Sequence, residues 1–215
     1  MTSVTHSFYS TEQWSCWLDQ LATDDFVVVD NFISDQLYEK LQQYFDHQRK
    51  HQQFAKAGIG SSDQRQVDST VRGDFIYWLD KGRDESLPEL FNLFDETTQQ
   101  IKQQLFLSLS DYEFHLALYP PGTHYDKHID QFKGKDNRVI SVLIYLNENW
   151  KPGDGGELAI YKPDGTLLLV EPLAKRLILF KSNLVEHAVR QTNISRKSLT
   201  GWLLRQPASL GILAT

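Results

Sequence analysis

The feature that most constrains this fold is a change of pattern near residue 111. Beyond it the chain breaks into short runs rich in β-branched and aromatic residues: Glu113 to Tyr119, Val139 to Leu146, Glu157 to Tyr161, Thr166 to Val170, Arg176 to Phe180, His187 to Gln191 and Lys197 to Arg205. Turn-forming stretches separate them, among them Lys151-Pro152-Gly153-Asp154-Gly155-Gly156 and Lys162-Pro163-Asp164-Gly165. Seven or eight short strands at this spacing predict a jelly-roll double sheet.

The first half reads as its support. Trp14, Trp17, Leu18 and Leu21 recur at helical spacing over residues 11 to 22, with Thr11 as the expected N-cap. Phe26 to Val29 reads as a buried strand, and Ser34 as the cap of a helix through about His47 with a stripe of Leu37, Leu41, Tyr44 and Phe45. Asp74 to Leu79 reads as a strand and Leu87 to Phe106 as a long helix with Pro88 in its first turn. Between the helix ending near His47 and the strand at Asp74, Arg49 to Val71 is polar and Gly-containing, which predicts a long loop, either a lid or simple disorder. The expected class is α+β, mainly β: N-terminal helices supporting a jelly roll, in one domain over residues 1–215, with support from 1–110 and a core over about 111–206.

At 40% hydrophobic residues, 215 residues can bury a proper core. A net charge of −6 argues against sequence-independent binding to nucleic acid or an anionic membrane. The single cysteine, Cys16, cannot form an internal disulfide, and no apolar run approaches the roughly 18 residues of a spanning helix. The N-terminus lacks the positive start and apolar region of a secretory signal, so the expected compartment is the cytoplasm.

The chemistry concentrates between Tyr119 and Asp130, where two His-x-Asp pairs, His124/Asp126 and His128/Asp130, follow the Pro120-Pro121-Gly122 turn. Residues two apart on a strand share a face, so either pair could grip one ion from one side, and alternation alone does not choose between them. His187, just after a strand-like run, offers a third ligand, and two histidines with one carboxylate leave open positions on a non-haem Fe(II). Arg196 lies nine residues later and could hold a carboxylate, although a surface arginine is the ordinary alternative.

This order of His128-x-Asp130, His187 and Arg196 resembles the site of the Fe(II)/2-oxoglutarate-dependent dioxygenases. From roughly Phe54 to Leu204 the chain is similar to the hypoxia-inducible-factor prolyl hydroxylases and their bacterial relatives. Arg72-Gly73-Asp74-Phe75-Ile76-Tyr77-Trp78, Ile144-Tyr145-Leu146-Asn147, Gly155-Gly156-Glu157-Leu158 and Tyr125-x-x-His128-x-Asp130 carry the resemblance. It implies a double-stranded β-helix and Fe(II) bound by His128, Asp130 and His187. Arg196 would hold the distal carboxylate of 2-oxoglutarate, with Tyr145 and Thr200 donating nearby, Tyr119 lining the pocket and Trp202 beside the site. Asp74 and Arg138, able to pair with each other, and Trp78 would meet the substrate at the entrance.

The implied reaction couples O₂-dependent decarboxylation of 2-oxoglutarate to succinate with hydroxylation of proline in a protein or peptide, elongation factor Tu among them. Ascorbate is the expected reductant, and residues 56 to 71 the expected lid. A carboxylate at Asp130 fits hydroxylation rather than halogenation, in which a small residue replaces it. Hydroxylation of a free amino acid or other small molecule is a second reading, and a non-catalytic jelly roll a third. Nucleic-acid dealkylation fits less well, because Arg196 and Arg205 are nine apart where such relatives carry Arg-x5-Arg.

Overall fold

Two antiparallel sheets face each other across a narrow interior, and three helices cover the outer face of the larger one. The computed structural model describes residues 7–58, 70–131 and 137–205. Helices α1 (Thr11–Asp24), α2 (Asp35–Lys50) and α3 (Pro88–Leu105) stand where periodicity predicts them. The cap of α1 is Ser10 rather than Thr11: Ser10 accepts from the backbone of Gln13, whose side chain accepts from Ser10 N–H in return. That reciprocal box satisfies two otherwise unpaired donors, which a cap at Thr11 would not. Ser34 caps α2 as expected.

The larger sheet has the order β1-β9-β6-β11-β4-β3-β2, from β1 (Phe26–Val29), β2 (Ala55–Lys56), β3 (Phe75–Trp78), β4 (Asp111–Tyr119), β6 (Arg138–Tyr145), β9 (Leu177–Lys181) and β11 (Arg196–Leu204). The smaller has the order β5-β10-β7-β8, from β5 (Tyr125–His128), β7 (Leu158–Tyr161), β8 (Leu167–Val170) and β10 (Glu186–Val189). The predicted loop from Arg49 is shorter than expected, because α2 extends to Lys50 and Ala55–Lys56 pairs with β3. The centre of the expected lid, 59–69, lies outside the described residues.

Strand alternation sorts the larger sheet into two cores. Phe114, Leu116, Ile140, Val142, Ile144, Leu177, Leu179, Leu199 and Leu203 meet the helices. Their neighbours Ala117, Tyr119, Leu143, Tyr145, Ile178 and Phe180 face the smaller sheet. On the helix side, Phe94 of α3 stacks on Phe114 with centroids 3.6 Å apart. Phe114 lies over Gly201, where a Cβ would come within 2.3 Å of its ring, so a glycine there admits the close approach. By the same parity, β11 turns Arg196, Ser198, Thr200 and Trp202 inward.

Candidate functional site

β5 and β10 bring the two histidines together as direct ladder partners, His128 opposite His187, with ring centroids 4.3 Å apart. Asp130 is not on the strand, as alternation had implied, but in the bend beyond it. There its Oδ1 lies 3.5 Å from Nε2 of His128 and 3.8 Å from Nε2 of His187. One ligand atom from each of the three residues lies within 4.8 Å of the others, the spacing of groups converging on one ion.

The surroundings decide which atoms are free. Nδ1 of His128 lies 2.6 Å from the carbonyl of Asp126, and Nδ1 of His187 lies 3.0 Å from the carbonyl of Val185. A carbonyl only accepts, so each ring carries a proton on Nδ1, and Nε2, within 3.8 Å of Asp130 Oδ1, is the nitrogen left to ligate. Ser141 Oγ donates to Asp130 Oδ2 at 2.6 Å and shares a hydrogen bond with Ser182 Oγ at 2.8 Å, while Oδ1 faces the two histidines. Burial opposes ionisation of Asp130, but His187, His128 and the Ser141 hydroxyl outweigh it and hold the carboxyl well below its ordinary range. Burial pushes the His187 imidazole down to about 4, so it is neutral and able to ligate at neutral pH.

The other His-x-Asp pair is excluded by a bulge. His187 faces His128 while Val189 faces Tyr125, so β5 carries one extra residue where β10 has only Ala188. Tyr125 therefore joins the face of His128, their rings stacked 3.7 Å apart, and His124 turns away. His124 and Asp126 meet each other at 3.2 Å with side chains 37% and 57% exposed.

On the larger sheet Arg196 is 2% exposed and opposite Tyr119 in the ladder. Its guanidinium carbon lies 5.0 Å from the ring centroid of Tyr119 and 4.9 Å from that of Tyr145. Its Nε donates to the carbonyl of Gly156 at 2.8 Å. Gly156 adopts φ +77°, and a Cβ there would meet Arg196 Cδ at 2.8 Å, so the Gly-Gly turn is a cradle for this side chain. One guanidinium nitrogen and the Tyr145 hydroxyl are buried without a hydrogen-bond partner among the described residues. Burial raises the phenol pKa of Tyr119 and Tyr145, keeping both as O–H donors. Thr200 Oγ1 lies 3.1 Å from Ser198 Oγ on the same inward face.

At the mouth, Trp78 is 40% exposed and packs against Trp202. Asp74 and Arg138, which could have paired with each other, stand in two separate pairs. Arg72, two residues away on the same segment, donates to both oxygens of Asp74 at 2.5 and 2.8 Å and covers the Tyr125 ring. Arg138 donates to Glu113 at 2.8 Å and stacks 3.4 Å over the Trp202 ring. Among the residues missed from sequence, Ser141 and Ser182 had a signal: a small polar residue stands on the inward parity of an otherwise apolar strand in Val139-Ile140-Ser141-Val142, and just past one in Phe180-Lys181-Ser182. Arg72 and Tyr125 were visible only as parts of motifs, and His115 had no separate signal.

The sequence matches the family described as the 2OG-Fe(II) oxygenase superfamily over residues 114–204. It is 33% identical over 144 residues to the hypoxia-inducible factor prolyl hydroxylase of Caenorhabditis elegans, covering 62% of this chain but 20% of that relative. It is 29% identical to prolyl hydroxylase EGLN3 of Mus musculus, covering 82% of this chain and 77% of the relative. In structure it is similar to a Pseudomonas putida prolyl-4-hydroxylase, with TM-score 0.82 and 36% identity over 90% of this chain and 100% of the other. A Trichoplax adhaerens prolyl hydroxylase, solved with a hypoxia inducible factor oxygen degradation domain peptide fragment, gives TM-score 0.80 and 25% identity over 92% and 94% of the two chains.

Proposed function

Because this chain belongs to the 2OG-Fe(II) oxygenase superfamily, we propose that its activity is hydroxylation of a prolyl residue in a protein or peptide. The superfamily uses Fe(II), 2-oxoglutarate and O₂, and the residues present fit them. The observation that carries the reading is the pairing of two features in one pocket. One is a triad of two histidines and a carboxylate, and the other is Arg196, a buried cation with no carboxylate partner among the described residues. An uncompensated buried charge is costly, and a dicarboxylate that also chelates a metal would satisfy both features at once.

In this reading His128, Asp130 and His187 hold Fe(II), with Ser141 keeping Asp130 oriented. Arg196 holds the distal carboxylate, Tyr145 and Thr200 add donors, and Tyr119 and Trp202 wall the pocket. Bound iron with its co-substrate supplies the oxidation: O₂ and 2-oxoglutarate become succinate and CO₂ as one oxygen atom enters a C–H bond of the substrate. The chain's part is to leave positions on the metal open and order the reactants in a water-poor interior. The mouth, with Trp78, Asp74 held by Arg72, and Arg138 over Trp202, is the entrance for an extended peptide. Elongation factor Tu is the first candidate substrate, with the cytoplasm as compartment. Among the described residues no helix is long and apolar enough to cross a membrane.

The test is incubation with Fe(II), 2-oxoglutarate, ascorbate, O₂ and proline-containing protein extracts. Mass spectrometry should show one added oxygen on proline, in step with succinate. Succinate without any modified polypeptide would replace this reading with a small-molecule hydroxylase, and failure to bind 2-oxoglutarate would sink both.

A further inference from the structure

His115 is 1% exposed, yet neither of its ring nitrogens has a hydrogen-bond partner among the described residues. A neutral imidazole carries one donor and one acceptor, and a buried polar group left unpaired costs about 1–3 kcal/mol. Such a site is retained where something else satisfies it. The ring lines the same pocket as the triad and Arg196, on the inward face of β4 shared with Ala117 and Tyr119. It is held there by aromatic edges, 4.8 Å from the Trp78 centroid and 5.5 Å from that of Trp202.

Its place along the strand is informative. In the ladder, Tyr119 stands opposite Arg196 and His115 opposite Thr200, four residues on, roughly 13 Å at about 3.3 Å per residue. Ser141, which holds Asp130, stands opposite Trp202, at the His115 end. The pocket thus has an Arg196 end and a triad end, and the His115–Thr200 rung is four residues from the Arg196 rung and two from the Ser141 rung, nearer the second. Burial, with Arg72 and Arg138 nearby, holds its pKa well below the ordinary value, so it is neutral and acts through its N–H.

We propose that His115 is a positioning residue for the co-substrate, donating a hydrogen bond to the metal-chelating 2-oxo-acid end of 2-oxoglutarate while Arg196 holds the other end. The role rests on the 2-oxoglutarate reading of this pocket. It divides recognition between two rungs of one sheet, a neutral donor at the chelating end and a cation at the distal end.

The test uses the full chain loaded with Mn(II) and two probes: 2-oxoglutarate, and oxalate, which has the chelating end alone. His115→Phe should weaken both by about tenfold or more, the loss expected for a hydrogen bond to a charged group. His115→Gln, which keeps a donor, should stay near the parent. Arg196→Met should weaken 2-oxoglutarate but leave oxalate within about twofold. With Fe(II) under anaerobic conditions, the visible charge-transfer band of the 2-oxoglutarate chelate should shift in His115→Phe and not in His115→Gln. Parent-like affinity of His115→Phe for both probes overturns the proposal, as does a loss confined to 2-oxoglutarate. If His115→Phe does not fold, ¹⁵N spectra of the Zn(II)-loaded parent decide: the His115 ring signals must move on adding either probe, and unmoved signals overturn the role. A parent chain that binds neither probe sinks the 2-oxoglutarate reading itself, whereas normal parent binding with no His115 effect sinks only this inference.

Discussion

His124/Asp126 and His128/Asp130 are four residues apart and identical in residue type and spacing, yet the fold treats them as different materials. The first pair sits half in water, where its 3.2 Å contact is screened. In the second, Asp130 is buried and His128 mostly covered, and the imidazoles of His128 and its ladder partner His187 are each held by a backbone carbonyl. The difference comes from one extra residue in β5, which turns Tyr125 onto the face of His128 and His124 off it. Whether a side chain can ligate therefore depends on what its other atoms are doing, and His-x-Asp spacing alone carries half of that information.

Matched substitutions in the two pairs should have very different consequences. The largest effect is expected from Asp130→Asn, which should lower Fe(II) affinity by more than about 100-fold, beyond what loss of a supporting group causes. Asp126→Asn should leave it near the parent, and equilibrium dialysis of the two would show at once if the pairs had been confused. Next is Ser141→Ala, which frees Asp130 Oδ2. It should weaken metal binding by about 10- to 100-fold while the fold survives, and an unchanged affinity would remove the serine from the site.

A smaller effect separates the pairs by pH in the metal-free chain. His187 is neutral when folded down to about pH 4 but takes a proton near 6.5 when unfolded, so the unfolded state binds more protons between those values. Stability should therefore be full above about pH 6.5 and fall by about 3 kcal/mol as pH drops to 4. Denaturant titrations across that range should lose this slope in His187→Gln and keep it in His124→Ala. Last, His124→Ala should change stability by less than about 1 kcal/mol, as for an exposed pair, and retain succinate formation. A loss of turnover would mean that His124 takes part after all.

Much of the architecture was legible because alternation and turn residues are local signals. The β-branched runs became strands, Ser34 capped α2, and Arg196, Thr200 and Trp202 share the inward parity of β11. The cap of α1 shifted by one residue because a reciprocal box depends on where the chain enters the helix, which composition does not encode. The two-residue strand β2 was hidden in a polar stretch, since its place is set by its partner β3 rather than by its own side chains.

The candidate donors, the Gly-Gly turn, the alternation that points Arg196 inward and the family resemblance were all legible in local residue patterns. Only the tertiary structure decided which His-x-Asp pair converges with His187. It also set Arg72 rather than Arg138 against Asp74, put Ser141 and Ser182 behind the carboxylate, and left His115 without a partner at the triad end. The reason is physical: residue type and parity are properties of one strand, whereas a bulge, a buried hydrogen bond and an unsatisfied ring nitrogen exist only between strands brought together.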